Sequence, residues 1–366
     1  MKNTILELEI IDLARGGAGV AKEPSGRVVF IPFTAPGDRV QVRVLEEKKH
    51  YAHGELIEVL KPSEMRQEAP CKVFTQCGGC QWQHIPYEFQ WKTKFNGVQQ
   101  ALAKLKVPVL NWDPLPAEKI WEYRNRIQLR GEAGSLGFYQ AGSNVLVPVD
   151  RCEIARPELN AAFPKLREEA KVLRGLYKVE VEVLPTGEIH KSWNSRHAAA
   201  GFRQVHDAQN EKLKAWVGAA IKPGRTLLDL FGGSGNLSLP LSDRMTEIHC
   251  VDLSSPEEKS RPRYTFHHSA TLPWLLRYSK KTARFAKGAS AILDPPREGL
   301  GADFAAIAEA LQKLGVDEIV AVGCDTDSWA RDVSRFTQRG WKIQRAAALD
   351  LFPQTSHVEA IAQLVL

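Results

Sequence analysis

Leu227-Leu228-Asp229-Leu230-Phe231-Gly232-Gly233-Ser234-Gly235-Asn236 decides the fold class of this 366-residue chain. An apolar run of strand length breaks into glycines, whose missing Cβ lets the backbone turn tightly and come close to a ligand. Upstream, Asp207 to Ile221 has helical spacing. Downstream, strand candidates recur at Ile248 to Asp252, Ala289 to Leu293, Glu318 to Gly323, Lys342 to Leu351 and Val358 to Leu366, with helical stretches between them. Strands alternating with helices predict an α/β fold with a doubly wound, mostly parallel sheet from about residue 201 onward. Such sheets bind ligands at the carboxyl ends of their strands, so the glycines mark a binding turn.

The next strand ends in Asp252, where a carboxylate accepts hydrogen bonds from ribose hydroxyls in nucleotide-binding folds. No P-loop lysine and no full Gly-x-Gly-x-x-Gly spacing is present. The turn therefore suits a nucleoside-type cofactor, S-adenosylmethionine above all, with an ordinary glycine-rich βα turn as the alternative. Asp294-Pro295-Pro296-Arg297 follows the strand Ala291 to Leu293, and its two prolines make a rigid loop that holds Asp294 beside the same cleft. Cys324 ends the strand Ile319 to Gly323. A thiol at that edge is a candidate nucleophile, although a lone cysteine in an apolar strand is more often a core residue, as mid-strand Cys250 is expected to be. Glu359, in Phe352-Pro353-Gln354-Thr355-Ser356-His357-Val358-Glu359, is either a base in a cleft or a surface residue.

The remaining chain is organised differently. Residues 1 to about 60 read as short strands and turns, the pattern of a small β-barrel. Tyr87 to Leu105 has helical spacing before Pro108. Between Tyr123 and Arg130 alternation places Arg124, Arg126, Gln128 and Arg130 on one strand face, a cationic stripe. Cys71-x5-Cys77-Gly78-Gly79-Cys80, with Cys152 distant, offers four sulfur ligands to one metal centre. A single Cys-x2-Cys pair favours iron and sulfur; a zinc ribbon is the alternative.

Composition bounds the function. Apolar residues make up 43% and charged residues 25%, which excludes wholesale disorder and collagen-like or coiled-coil repetition. Six cysteines are too few for a disulfide scaffold. No long apolar run occurs, so no membrane segment is expected and the reading is cytoplasmic. Nothing calls for an obligate protein partner. Net charge is +6, yet Lys259 to Lys287 alone holds eight Lys/Arg and no acid, either a phosphate-binding surface or a solvated face.

Together these motifs resemble the RNA uracil C5-methyltransferase family from Ile5 to Leu366, and its bacterial large-subunit rRNA branch in particular. Leu13-Ala14-Arg15-Gly16-Gly17-Ala18-Gly19 and Phe33-Thr34-Ala35-Pro36-Gly37-Asp38 resemble the RNA-binding barrel called TRAM. The resemblance implies a barrel over 1–62, an iron-sulfur-bearing α+β domain over 63–82 and 113–200, and a Rossmann-like methyltransferase domain over 83–112 and 201–366. By the same likeness Cys71, Cys77, Cys80 and Cys152 hold a four-iron four-sulfur cluster. Gln204, within Gly201-Phe202-Arg203-Gln204-Val205, Phe231 and Asn236 line the cofactor, and Asp294 holds the uracil edge or the cofactor. Cys324 is then the nucleophile and Glu359 the base. The implied substrate is a uridine in a loop or bulge of large-subunit rRNA, with the tRNA T-loop or a non-catalytic RNA-binding role as alternatives. The chain departs from the family at His206, where Asn is usual, at Ser254-Ser255-Pro256, and at Asp325 and Asp327, acids that would raise the Cys324 thiol pKa if they face it.

Overall fold

The computed structural model describes residues 4–195, 203–255 and 261–366; Gly201, Phe202, Pro256 and Lys259 lie outside them. The chain divides into two compact units. One comprises Met1–Lys94, Glu118–His197 and Phe352–His357; the other comprises Phe95–Ala117, Ala198–Leu351 and Val358–Leu366.

The first unit opens with a closed barrel. Its strands are β1 (Ile5–Leu13), β2 (Gly19–Lys22), β3 (Val28–Ile31), β4 (Arg39–Glu47) and β5 (Tyr51–Lys61), in the order β1-β2-β3-β5-β4. Alternation along each strand turns Leu8, Ile10, Val29, Ile31, Val40 and Val42 inward to form the barrel core. The Pro36-Gly37 turn is pinned by Asp38, whose carboxylate accepts from Ala35 N at 2.7 Å, Ser63 N at 2.8 Å and the Arg66 guanidinium. Burial alone would raise that carboxyl, but the Arg66 pair and the two amides hold it below its ordinary value.

A helix, α1 (Tyr87–Lys104), and a strand, β6 (Trp112–Leu115), precede a five-stranded sheet. It consists of β7 (Arg126–Glu132), β8 (Ser135–Tyr139), β9 (Leu146–Pro148), β10 (Leu176–Val183) and β11 (Ile189–Trp193), ordered β11-β10-β7-β8-β9. Helix α2 (Pro157–Ala170) lays Leu159, Phe163 and Leu166 on the core formed by Leu129, Val179 and Val181. The cationic stripe expected here is not an exposed surface. Arg126 is 3% exposed and stands opposite Glu182 of β10, Arg124 has a buried Nε, and the Arg130 guanidinium lies 5.6 Å from the Tyr139 ring. Alternation correctly separated two faces; the side chains of neighbouring elements cover both, which strand periodicity does not report.

The second unit is built on an eight-stranded sheet ordered β14-β13-β12-β15-β16-β18-β17-β6. Its remaining elements are α3 (Asp207–Ala220), β12 (Thr226–Leu230), β13 (Glu247–Asp252), β14 (Tyr264–His268), α4 (Thr271–Lys281), β15 (Ala289–Leu293), α5 (Phe304–Leu314), β16 (Val316–Gly323), α6 (Thr326–Thr337), β17 (Lys342–Leu349) and β18 (Glu359–Val365). Strands β12 to β16 run parallel, and β18 is antiparallel to both neighbours. Leu227, Leu228, Ile292, Val320 and Ile361 are fully buried, as expected of strands covered on both faces. Each such residue contributes about 1.5–3 kcal/mol through removal from water. Strand β6 pairs with β17, so the sequence boundary drawn between residues 112 and 113 runs through it. The basic run, legible only as charge, contains β14 and α4.

Candidate active site

The parallel strands end in one row, because Leu230 is in register with Val251 and Leu293, and Leu293 with Ala321. Phe231, Asp252, Asp294 and Cys324 follow at or just beyond those ends. Glu359 reaches the same row from the opposite direction: β18 is antiparallel to β16, and the pair Gly323–Ala360 immediately precedes Cys324 and follows Glu359. A strand order reversal thus brings the thiol and the carboxylate to one edge from 35 residues apart in sequence.

The turn after β12 is formed under steric pressure. Phe231 has a left-handed φ of 64°, and Gly233 and Gly235 have φ of 55° and 81°. A Cβ on Gly232 would lie 2.6 Å from both Asp229 Oδ2 and Cys250 Sγ. Below the turn, the Ser238 hydroxyl donates to Asp229 Oδ2 and lies 2.8 Å from the Tyr264 hydroxyl. Burial pushes the Asp229 carboxyl up to about 6. Cys250 is the buried strand thiol expected of it. At the far end of the turn, Asn236 and Asn210 of α3 exchange two amide hydrogen bonds of 3.0 and 2.9 Å. Gln204 is 9% exposed just ahead of α3.

The departures noted in the sequence have local roles. His206 caps α3, its Nδ1 accepting from Gln209 N at 3.5 Å. Ser254 donates to Asp252 Oδ1 through both its N–H and its hydroxyl, each at 2.6 Å, and the Ser255 hydroxyl donates to Gly233 O at 3.0 Å. Ser255 is therefore tied to the glycine turn and Ser254 to the end of β13. Asp325 caps α6 by accepting from Ser328 N at 2.8 Å.

The acids that act on Cys324 are others. Burial pushes its thiol up to about 11, with Glu359 and then Asp294 adding to the rise and Arg297 opposing it. Glu359, 3% exposed, is itself raised well above the usual carboxylate range by burial and by Asp294. Asp294 is raised by burial, then by Asp229 and Asp252. Sequence reasoning missed Asp229, Arg297 and Asn210 as parts of the site; the acid before the glycines was a signal for the first, and the second was quoted within the Pro-Pro loop without a role. Nothing in the sequence marks Asn210.

In the first unit, Phe352–His357 is held by its neighbours. Gln354 N donates to Gln90 Oε1 at 3.1 Å, and Gln81 N and Trp82 N both donate to Gln354 O. The four cysteines also lie in this unit. Cys71 raises the Cys77 thiol, Cys77 raises those of Cys80 and Cys152, and Cys152 raises that of Cys80. In each, burial is the larger cause, lifting Cys80 to about 12 and Cys152 to about 11. Arg124 acts in the other direction on Cys77, Cys80 and Cys152. Cys71 N donates to Gln83 Oε1 at 3.2 Å, Cys152 N donates to Asn160 Oδ1 at 2.9 Å, and the segment of Cys77 forms a bridge to Gln140. Among the described residues no three His, Cys, Asp or Glu side chains converge closely enough to hold a single metal ion. No described helix is long and apolar enough to cross a membrane.

The TRAM domain model matches residues 1–57. An uncharacterized RNA methyltransferase of Bdellovibrio bacteriovorus is 32% identical over 98% of this chain and 94% of its own. A 23S rRNA (uracil(1939)-C(5))-methyltransferase of a Shewanella strain is 31% identical over 94% of this chain and 92% of its own. Among solved structures, the tRNA (uracil-54, C5)-methyltransferase of Pyrococcus abyssi, in complex with S-adenosyl-L-homocysteine, superposes with a TM-score of 0.74 at 21% identity, covering 98% of this chain and 99% of that one.

Proposed function

Because the chain belongs to the RNA uracil C5-methyltransferase family, we propose that it transfers a methyl group from S-adenosylmethionine to C5 of a uridine in large-subunit rRNA. The observation that carries this reading is the meeting of Cys324, Glu359 and Asp294 at one sheet edge, where both acids raise the thiol and Asp294 raises Glu359. The division into barrel, cysteine-bearing domain and methyltransferase domain belongs to the same proposal.

C5 of uracil is too weak a nucleophile to be alkylated unaided. The Cys324 thiolate adds to C6, and the electron pair of the C5–C6 bond moves into an enolate centred on C5. Bound S-adenosylmethionine supplies an electrophilic methyl group. C5 takes up that group as the sulfonium–methyl bond breaks and its electron pair stays on sulfur, which leaves S-adenosylhomocysteine; Glu359 then removes the C5 proton, and the double bond re-forms as the S–C6 bond breaks and frees Cys324. A carboxylate with a raised pKa is a stronger base, so the burial that hinders its ionisation suits Glu359 to this step. Asp294, with its proton retained by burial and by its acidic neighbours, can donate to the uracil edge or to the cofactor. Phe231, Asn236, Gln204 and Asp252 form the cofactor side. The target base must be unstacked to reach the thiol, which favours a loop or bulge.

The cysteine centre is read as the site of a four-iron four-sulfur cluster. Cys77, Cys80 and Cys152 within electrostatic reach of one another, Cys71 within reach of Cys77, the amides of Gly79, Ile154 and Ala155 directed at sulfurs, and Arg124 acting on three of the thiols suit a negatively charged cluster. The test is iron and acid-labile sulfide in anaerobically purified protein; a colourless zinc protein refutes the cluster.

The function is tested by incubating the protein with labelled S-adenosylmethionine and unmodified bulk RNA separated by size. Label in large rRNA supports the proposal, label in tRNA moves the target to the T-loop, and no label in any fraction rejects catalysis. A Cys324→Ala variant that still methylates rejects the covalent step.

A further inference from the structure

The amino ends of the catalytic strands form a second row, opposite the edge that carries Cys324. Thr226 is in register with Glu247 and Ala289, Ile248 with Tyr264, and Ala289 with Val316. Strand β12 has five residues, so roughly 16 Å separates the two edges. Arg261 and Arg263 lead into β14 at this far edge, and Arg284 and Lys287 lead into β15. Helix α4 starts at the catalytic edge and runs back, which leaves Lys280 and Lys281 in its last turn at the far edge; Arg277, one turn earlier, reaches back to Ser269 beyond the carboxyl end of β14.

All seven of these cations are exposed, and none forms an ion pair with a described residue. Their polar partners are neutral: Arg277 donates to Ser269 Oγ at 3.3 Å, and Arg284 donates to Gln312 O at 3.0 Å. The helix is anchored by its other face. Trp274 stacks on Tyr278 at 4.6 Å and packs on His267 at 4.7 Å, and the Tyr278 hydroxyl meets His249 Nε2 at 2.9 Å. Packing on that face leaves Lys280 and Lys281 exposed in the last turn. Of the acids near this edge, Asp317 pairs with Arg225 at 2.6 Å, whereas Glu247 faces His249 at 3.3 Å, an imidazole whose pKa burial lowers, and Asp243 is exposed. From Arg263 beside β14 to Lys287 beside β15 the row crosses four strands, about 14 Å.

We propose that this far edge is a second RNA-binding surface, which grips backbone phosphates of an RNA segment remote from the target uridine. The inference rests on the reading of the chain as an enzyme of structured RNA. Phosphate is favoured over an acidic protein because residues 261–288 expose only one large hydrophobic, Leu276 at 38%, whereas a protein interface has an apolar centre. A row of lysines and arginines without stacking aromatics at its surface matches backbone contact, which is sequence-independent and salt-dependent.

The test is direct binding, without methylation, of the whole chain to a long structured transcript of large-subunit rRNA and to a short hairpin cut from it. The triple variant Lys280→Glu, Lys281→Glu, Lys287→Glu is compared with the unaltered chain between about 50 and 200 mM salt. Affinity for the long transcript is expected to fall at least tenfold, with the salt slope reduced by about two to three, and affinity for the hairpin is expected to fall much less. Unchanged affinity and slope for the long transcript overturn the surface. An equal loss for both RNAs overturns its remoteness from the target. Binding of S-adenosylhomocysteine to the variant verifies that the second unit is folded. Should the unaltered chain methylate no RNA, the enzymatic reading fails, while the binding comparison still decides the surface.

Discussion

Asn210 and Asn236 face each other as a closed amide pair, each donating its Nδ2 to the other's Oδ1, at 3.0 and 2.9 Å. The pair joins α3 to the end of the glycine turn. It occupies one hydrogen and one lone pair of Asn236 and so fixes which way the other half of the amide points. Replacing Asn210 by Ala removes both bonds and frees the Asn236 rotamer. Affinity for S-adenosylhomocysteine should fall about tenfold while turnover at saturating cofactor is nearly retained. Calorimetric titration reads the affinity; a dissociation constant equal to that of the unaltered chain rejects a positioning role.

Glu359→Gln keeps the shape and removes the base. A transcript carrying uridine should still form the covalent link to Cys324, but release of methylated product should slow by about a hundredfold or more, so that adduct accumulates. Denaturing gels of the quenched reaction measure it. Normal release with no adduct would assign the proton to another group.

A thiol pushed up to about 11 is almost wholly protonated at neutral pH. Because only the thiolate adds to C6, trapping on a 5-fluorouridine transcript should accelerate with pH, by about tenfold per unit well below the thiol pKa. Arg297 favours the thiolate, so Arg297→Ala should slow trapping at every pH in that range. A pH-independent trapping rate contradicts this account.

Asp229 carries a stability signature. Its folded value, about 6, lies above the ordinary 3.8, so the folded state holds the proton more tightly than the unfolded chain. Stability is therefore greatest below pH 4 on this group's account and declines as pH rises from there through 6. The full difference is about 3 kcal/mol. Asp229→Asn should flatten that dependence between pH 4 and 7, read as the urea midpoint at each pH. An unchanged slope places the ionisation elsewhere.

For the cysteine centre, Cys80→Ser should lower iron and sulfide content and the thermal midpoint together, because one metal group would tie the segment of Cys71, Cys77 and Cys80 to that of Cys152. Gly78→Ala should act on the same segment without touching a thiol, since its Cβ would lie 2.9 Å from Ala141 N. A Cys80→Ser protein with full metal content removes Cys80 from the ligand set.

What the sequence determined by itself was local and periodic. The strand-glycine turn at Leu227 to Asn236, the α/β alternation after it and the barrel alternation before Pro36 are all short-range patterns, because a strand or tight turn is specified by neighbours within a few residues. The bounds of α1 and the edges of β13 and β15 followed from that periodicity alone. Burial by partners distant in sequence was not legible: Arg124 and Arg126 alternated as a surface stripe should, and only the pairing of β7 with β10 set Glu182 against Arg126. The same holds at the site. Cys324 and Glu359 lie 35 residues apart in sequence, and only the antiparallel entry of β18 brings them to one edge, where the thiol pKa is raised by Glu359 and Asp294 while Asp325 caps a helix. Charge, too, was visible as a run from Lys259 to Lys287, but the edge of the sheet to which it belongs was decided by the direction in which α4 returns across the strands.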